Sequence, residues 1–389
     1  MNTIRNPKRS SIGIRRSPIY ALCPTLCAIA ISINLGSCAS KDAGASPTAA
    51  LPKTQQLDTT LLTSVQIASS DEPSTSSAMV EPIWNTASTL TAYATSTGGA
   101  TCDGSTIPVV IRSVYSQNNI FFLVQYADAT NDVLESPLKF LGGDFSSGAD
   151  WALDNTTHDD GFSMMFEIQP ATSGTQTFIS NGCAVACHTA QGESWNPGMF
   201  AENDGRFDLW YWRASNSNAS ELAEDLVSVG SPNFSMHLDD PNAPIVQSNI
   251  NSSTPYLPLF TVGGDNSGID KGRYISAKTM DAYGNIFNVV TGKPWAAGDE
   301  VPSTTIAQID PQKENDSWDV KSQGFWSNGK WTVKFKRSLQ TASSSGTAPN
   351  DIAFAPGIRY PFSFAVHNHN APGDHYGVSS HAFTLLLKN

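Results

Sequence analysis

The stretch IPVVIRSVYSQNNIFFLVQYADAT, residues 107 to 130, decides the fold class. Two runs rich in β-branched and aromatic residues flank the polar Ser116-Gln117-Asn118-Asn119, which is the pattern of an antiparallel hairpin. The two-residue period returns further along the chain. In GFSMMFEI (161–168) Phe162, Met164, Phe166 and Ile168 share one face, with Met165 and Glu167 on the other. KWTVKFKR (330–337) sets Trp331, Val333 and Phe335 against Lys334 and Lys336, and RYPFSFAV (359–366) alternates Tyr360, Phe362, Phe364 and Val366. A last run, HAFTLLL, follows at 381–387. Half-buried strands joined by long irregular loops imply an all-β protein, an antiparallel β-sandwich with few short helices. No strand–helix alternation supports a parallel sheet. The loops at 169–206 and 230–330 are long enough to expect function in them.

The 389 residues supply ample apolar material for a core, and only 15% are charged. Residues 1–37 have the shape of an export signal. Arg5, Lys8, Arg9, Arg15 and Arg16 form a basic start without an acid, an apolar run from Ile19 to Ile33 follows, and Leu35-Gly36-Ser37-Cys38 closes it. Those four residues resemble the lipobox of bacterial lipoproteins, which makes Cys38 the lipidated N-terminus. Ala39 follows it, where an Asp in Gram-negative lipoproteins would retain the protein at the inner membrane, so the outer membrane is expected. Loss of the five positive charges takes the formal charge from −12 to −17. So acidic a surface repels phosphate backbones and excludes nucleic acid as a partner. Residues 38–80, rich in Ala, Ser, Thr and Pro, are expected to be a flexible tether, and 81–389 one folded domain.

SNGCAVACHTAQGE (180–193) holds the densest chemistry. Cys23 and Cys27 leave with the signal and Cys38 carries the lipid, so Cys102, Cys183 and Cys187 remain. A Cys183–Cys187 disulfide would close a very small loop and leave His188 without a role. Zinc could take Cys102, Cys183, Cys187 and His188, but adjacent residues rarely both face one small ion. Covalent haem needs two thiols to add across the haem vinyl groups and an imidazole directly after the second, and the sequence supplies all three.

The order of FDLWYWRASNSN (207–218), the Trp331–Arg337 strand and RYPFSFAVHNHNAPGDHYGVSS (359–380), together with the cysteine motif, resembles the haem-binding domain related to the ethylbenzene dehydrogenase γ subunit. That β-sandwich family also contains the cytochrome subunits of dimethyl-sulfoxide-reductase-type molybdenum enzymes. The resemblance covers most of residues 81–389. Its most specific pieces are Cys183/Cys187/His188, Asp208 to Trp212 and Trp331 to Arg337. The spacing between the cysteines is one residue longer than the usual motif, and a lipoprotein tether suits an independent protein better than a docked subunit.

The resemblance implies a membrane-tethered monohaem c-type cytochrome, an electron carrier rather than an enzyme, with redox proteins as partners. Haem c would be bonded to Cys183 and Cys187, with His188 as proximal iron ligand. Met199, in the same loop, is the first choice of distal ligand, His375 the alternative and Lys336 a distant third. Two other readings remain open. One is a haem-free β-sandwich that binds carbohydrate through Trp210, Tyr211 and Trp212; the other is a haem sensor with an open axial position. GGDNSGIDKG (263–272) has the oxygen-rich look of a calcium loop without the spacing of an EF-hand. Asp159 and Asp160, adjacent in a strand, are expected to face opposite ways and not to pair.

Overall fold

The computed structural model describes residues 60–389 except 98–104, 142–150, 173–176, 188–203, 216, 231–234, 240–245, 252–256, 259–296, 299, 307–315, 342–348, 370–374 and 379. The expected hairpin is present. Strand β3 (Thr106–Tyr115) runs antiparallel to β4 (Asn119–Ala127), with Tyr115 opposite Ile120. The turn is tied by the Ser116 amide donating to the Asn119 carbonyl at 2.8 Å, while the Ser116 hydroxyl donates to Glu72 at 2.6 Å.

Thirteen strands form one continuous hydrogen-bonded system. Its first members are β1 (Leu61–Gln66), β2 (Thr89–Thr97), β3 and β4. They are followed by β5 (Gly161–Gln169), β6 (Arg206–Arg213), β7 (Glu224–Val229) and β8 (Ser235–Leu238). Next come β9 (Lys321–Trp326), β10 (Lys330–Ser338), β11 (Arg359–His367), β12 (His375–Gly377) and β13 (Phe383–Leu387). The spatial order is β8-β7-β6-β5-β11-β12-β2-β3-β4-β10-β9, with β13 and β1 bridging β11 to β3 on a second path. Folded over, this sheet is the two-layered all-β architecture expected from the alternation.

The layers meet through large side chains. Phe122 on β4 lies 6.0 Å from Phe166 on β5, Phe335 on β10 lies 6.1 Å from Phe162, and Trp212 on β6 meets Trp331 edge-on at 4.9 Å. Space for Trp212 requires Gly324 on β9, because a Cβ there would overlap the indole ring. Among these apolar residues one cation crosses the core. Arg337, on β10, is wholly buried and donates to Asp208 on β6 at 2.6 Å and to Asp351 at 3.1 Å. Its guanidinium also lies 4.8 Å over the Trp210 ring. Burial pushes the Asp208 carboxyl up to about 7 against the pull of Arg337.

The outer faces are covered as well. On β10, Lys334 points away from the core yet is buried, paired with Glu81 at 2.8 Å under the turn at Pro82–Asn85. The folded region starts earlier than expected. Leu61–Gln66 lies within the segment read as tether, but pairs in parallel with both β13 and β3. Small polar residues in such a segment do not prevent strand formation when both neighbours offer open edges and Leu62 enters the core.

Arg337→Leu strands the buried Asp208 carboxylate and is expected to cost about 3–5 kcal/mol in urea denaturation. Asp208→Asn added to it should recover part of that loss, because the remaining group is neutral.

Candidate functional site

The outer face of β5–β6–β11 carries the site. On β5 the period places Met164 and Phe166 in the core, so Ser163 and Met165 face outward; on β6 the outward residues are Phe207, Leu209 and Tyr211. Met165 is nonetheless 2% exposed, because the chain from Thr177 to Cys187 returns over this face. That segment is two single helical turns, Phe178–Asn181 and Ala184–Cys187. The first is nucleated by a capping box in which the Thr177 hydroxyl accepts from the Ser180 amide and the Ser180 hydroxyl accepts from the Thr177 amide. Gly182 joins the turns at φ 58°, where an added Cβ would strike the Val378 and His381 carbonyls. Phe178, Cys183 and Val185 then pack with Met165, Phe207, Leu209 and Leu226.

Beside Cys183 this cover leaves a cavity of about 70 Å³. Its wall is largely carbon, from Met165, Leu209, Met236 and Ala365, and its polar groups come from Ser163, Tyr211, His367 and His375. The His367 ring sits 4.8 Å from the Tyr211 ring and 5.5 Å from that of His375. Burial first, then His375 and Arg213, holds the His367 imidazole well below its ordinary pKa, so it is neutral. Burial likewise raises the Tyr211 phenol, so it stays a hydroxyl. Ser163, Tyr211 and His367 therefore offer uncharged donors and acceptors around an apolar floor.

Of the expected site residues, the structure brings Cys183 and His375 to this one cavity. Cys187 ends the second helical turn, and its side chain lies outside the described residues, as do His188, Met199, Cys38, Cys102 and the 263–272 loop. Lys336 is remote from the cavity wall, on the opposite layer, paired with Glu72 at 3.1 Å. Trp210 and Trp212 are fully buried and only Tyr211 of that trio reaches the cavity.

A sequence profile described as ethylbenzene dehydrogenase matches residues 81–379. The chain belongs to the ethylbenzene dehydrogenase family. No curated protein matches this family member. Among solved structures, it is similar to a family 9 carbohydrate-binding module from Caldicellulosiruptor kristjanssonii in complex with cellotriose, at 8% identity and a TM-score of 0.29, over 85% of this chain and 94% of that one. It is also similar to a protein from Bacteroides uniformis described as carbohydrate-binding, at 7% identity and a TM-score of 0.35, over 85% of this chain and 99% of the other. Likeness at this level carries no argument about a ligand.

The expected c-type cytochrome is corrected by the site itself. The family match shows the ethylbenzene dehydrogenase family and nothing finer. The cavity itself does not fit haem. One water needs roughly 10–15 Å³ on this scale, so the space beside Cys183 holds a handful of waters, and a porphyrin is several times larger. Cys183 is 5% exposed, packed into the cluster that fixes residues 178–187 to the sheet. A macrocycle bonded there would displace that cover. Among the described residues, the groups of three side chains able to hold a metal ion are all carboxylates, whereas haem iron takes imidazole or sulfur. Haem c, iron and the electron-carrier role are set aside, and the ligand roles expected of Cys183, Cys187, His188, Met199 and His375 have no cofactor to serve.

His367 is one of four C-terminal histidines, with His369, His375 and His381, that the sequence offers as ligands, and it is not the one chosen. Its signal was available, since the alternation that buries Val366 turns His367 to the face carrying Ser163 and Met165. Gly182→Ala is expected to lift the 178–187 cover. Cys183 should then react with a thiol reagent under native conditions, whereas the unaltered protein should react only on unfolding.

Proposed function

We propose that this chain is a haem-free binding protein, not an enzyme, and that its outer-face cavity takes a single sugar ring. The observation that carries the proposal is Tyr211, half-buried at the cavity wall beside the neutral His367. A pyranose has a C–H-rich face and a rim of hydroxyls. The first suits an aromatic plane. Each hydroxyl both donates and accepts, and a neutral imidazole, with one N–H and one bare nitrogen, matches it. Ser163 and His375 extend the same chemistry. Handed this way, the binding reading rests on one aromatic and three polar groups rather than on the tryptophan platform expected from the sequence.

A second reading has its own support. The floor of Met165, Leu209 and Ala365 would equally suit a small apolar ring without hydroxyls. Calorimetric titration with monosaccharides, short gluco-oligosaccharides and small aromatic compounds separates the two. Saccharide binding that weakens at least tenfold in Tyr211→Ala, and that also weakens in His367→Leu, is the expected result. Binding of the aromatic compounds alone supports the second reading, and no binding of either class ends both.

The protein is further proposed to be exported and anchored by lipid on Cys38, with the outer membrane as its site and no nucleic-acid partner. The support is the basic, acid-free start, the apolar run and the small residues before the cysteine. Cys38→Ser should move the protein from the detergent phase to the aqueous phase on partition. Retention in the detergent phase by that variant would place the anchor elsewhere.

A further inference from the structure

We propose that Asp128, Asp132 and Asp160 form a site for a divalent cation of the calcium class, at the end of the sandwich and separate from the sugar cavity. Asp128 follows β4, Asp132 lies four residues on, and Asp160 immediately precedes β5. Ligand oxygens of the three carboxylates fall within 4.8 Å of one another.

Burial separates this group from an ordinary acidic patch. Asp160 is fully buried and Asp128 is 3% exposed, yet no lysine or arginine pairs with any of the three among the described residues. Arg213, at the end of β6, is held instead by Asp159 at 2.8 Å and Glu135 at 3.3 Å. The one ion-pair partner is His369, 3.5 Å from Asp132 and itself half exposed.

The second observation is a nearly orphaned atom. Asp128 Oδ1 accepts from the Thr130 amide at 3.1 Å, but Asp128 Oδ2 is buried against the Asp160 carboxyl and meets no other hydrogen-bond partner among the described residues. Two carboxylates pressed together need something positive between them. Asp160 is held in place from three sides, by the Asp132 amide at 2.9 Å, the Trp331 indole N–H at 2.9 Å and the His369 amide at 3.2 Å. Its position is therefore built, not adventitious.

The donors are hard oxygens, which suits calcium or magnesium over softer metals. Thr130 adds a hydroxyl beside Asp132. The Asp132 side chain is 26% exposed, which gives an ion an entry path and leaves room for water to complete the coordination. Calcium accepts such irregular mixed oxygen sets, whereas magnesium demands a near-ideal octahedron. An ion there would tie the ends of β4, β5, β10 and β11 together.

The test uses the full chain purified without chelator. Elemental analysis should find one equivalent of calcium, chelator should remove it and lower the melting temperature, and added calcium should restore both. Asp128→Asn keeps the shape and removes one charge; it should lose the metal and the calcium-dependent shift, while the exposed-acid control Asp204→Asn keeps them. Absence of bound metal together with a melting temperature indifferent to calcium overturns the site, and leaves a shared proton between Asp128 and Asp160. Calcium retained by Asp128→Asn overturns it equally. If Asp128→Asn does not fold, the chelation result on the unaltered chain decides.

Discussion

The sandwich is organised around one buried cation. Arg337 reaches from β10 across the core to Asp208 on β6, bonds Asp351 and the Ile352 carbonyl, and lies against the rings of Trp210 and Phe354. The Ile352 amide donates to the same Asp208 oxygen at 3.0 Å, so the loop before β11 is drawn into the contact. A guanidinium in such surroundings is weak support for raw stability, since desolvation offsets most of the attraction. It discriminates between alignments. A slip of one residue on either strand would turn one partner to the opposite face of the sheet and leave the other charge buried alone, so one register is strongly preferred.

Much of this was written in the alternation of the chain. Phe162, Met164 and Phe166, Trp331, Val333 and Phe335, and Phe362, Phe364 and Val366 all face the core as the period requires. Periodicity failed where both faces are covered. Met165 and Tyr211 are outward residues by pattern, and no local signal tells that Phe178, Cys183 and Val185 come back over them. Charge was no better guide, because Lys334 reads as a solvent-facing lysine and is buried against Glu81. β1 was missed for a related reason. Its composition is ordinary for a linker, and its order comes from two strands outside the segment, β3 and, at the C-terminal end of the sequence, β13.

The chemistry was legible in parts and misassigned in others. The cysteine motif drew attention to the right segment, but as the cover of a small cavity and not as a cofactor anchor. Of Trp210, Tyr211 and Trp212, strand geometry assigns two to the core and one to the cavity, a division the motif alone could not make. Asp159 and Asp160 lie just ahead of β5 and not in a strand, and they bond different groups, Arg213 and Ser215 for the first, Trp331 and His369 for the second. What the sequence concealed is that each has a distant partner, Arg213 for the first and Asp128 for the second.

β1 lies parallel to β13 and is joined to it from Leu61 to Ser64 and to β3 beyond that. Tension applied to the segment ahead of Leu61 acts along the strand axis. The evenly spaced, slanted bonds of the two parallel pairings run across the line of that pull, so they share the load. A hairpin at the same position would unzip bond by bond under far smaller force. The strand thus behaves as a mechanical clamp, and the folded body can be tugged from its N-terminal side by flow or by a moving surface without peeling open.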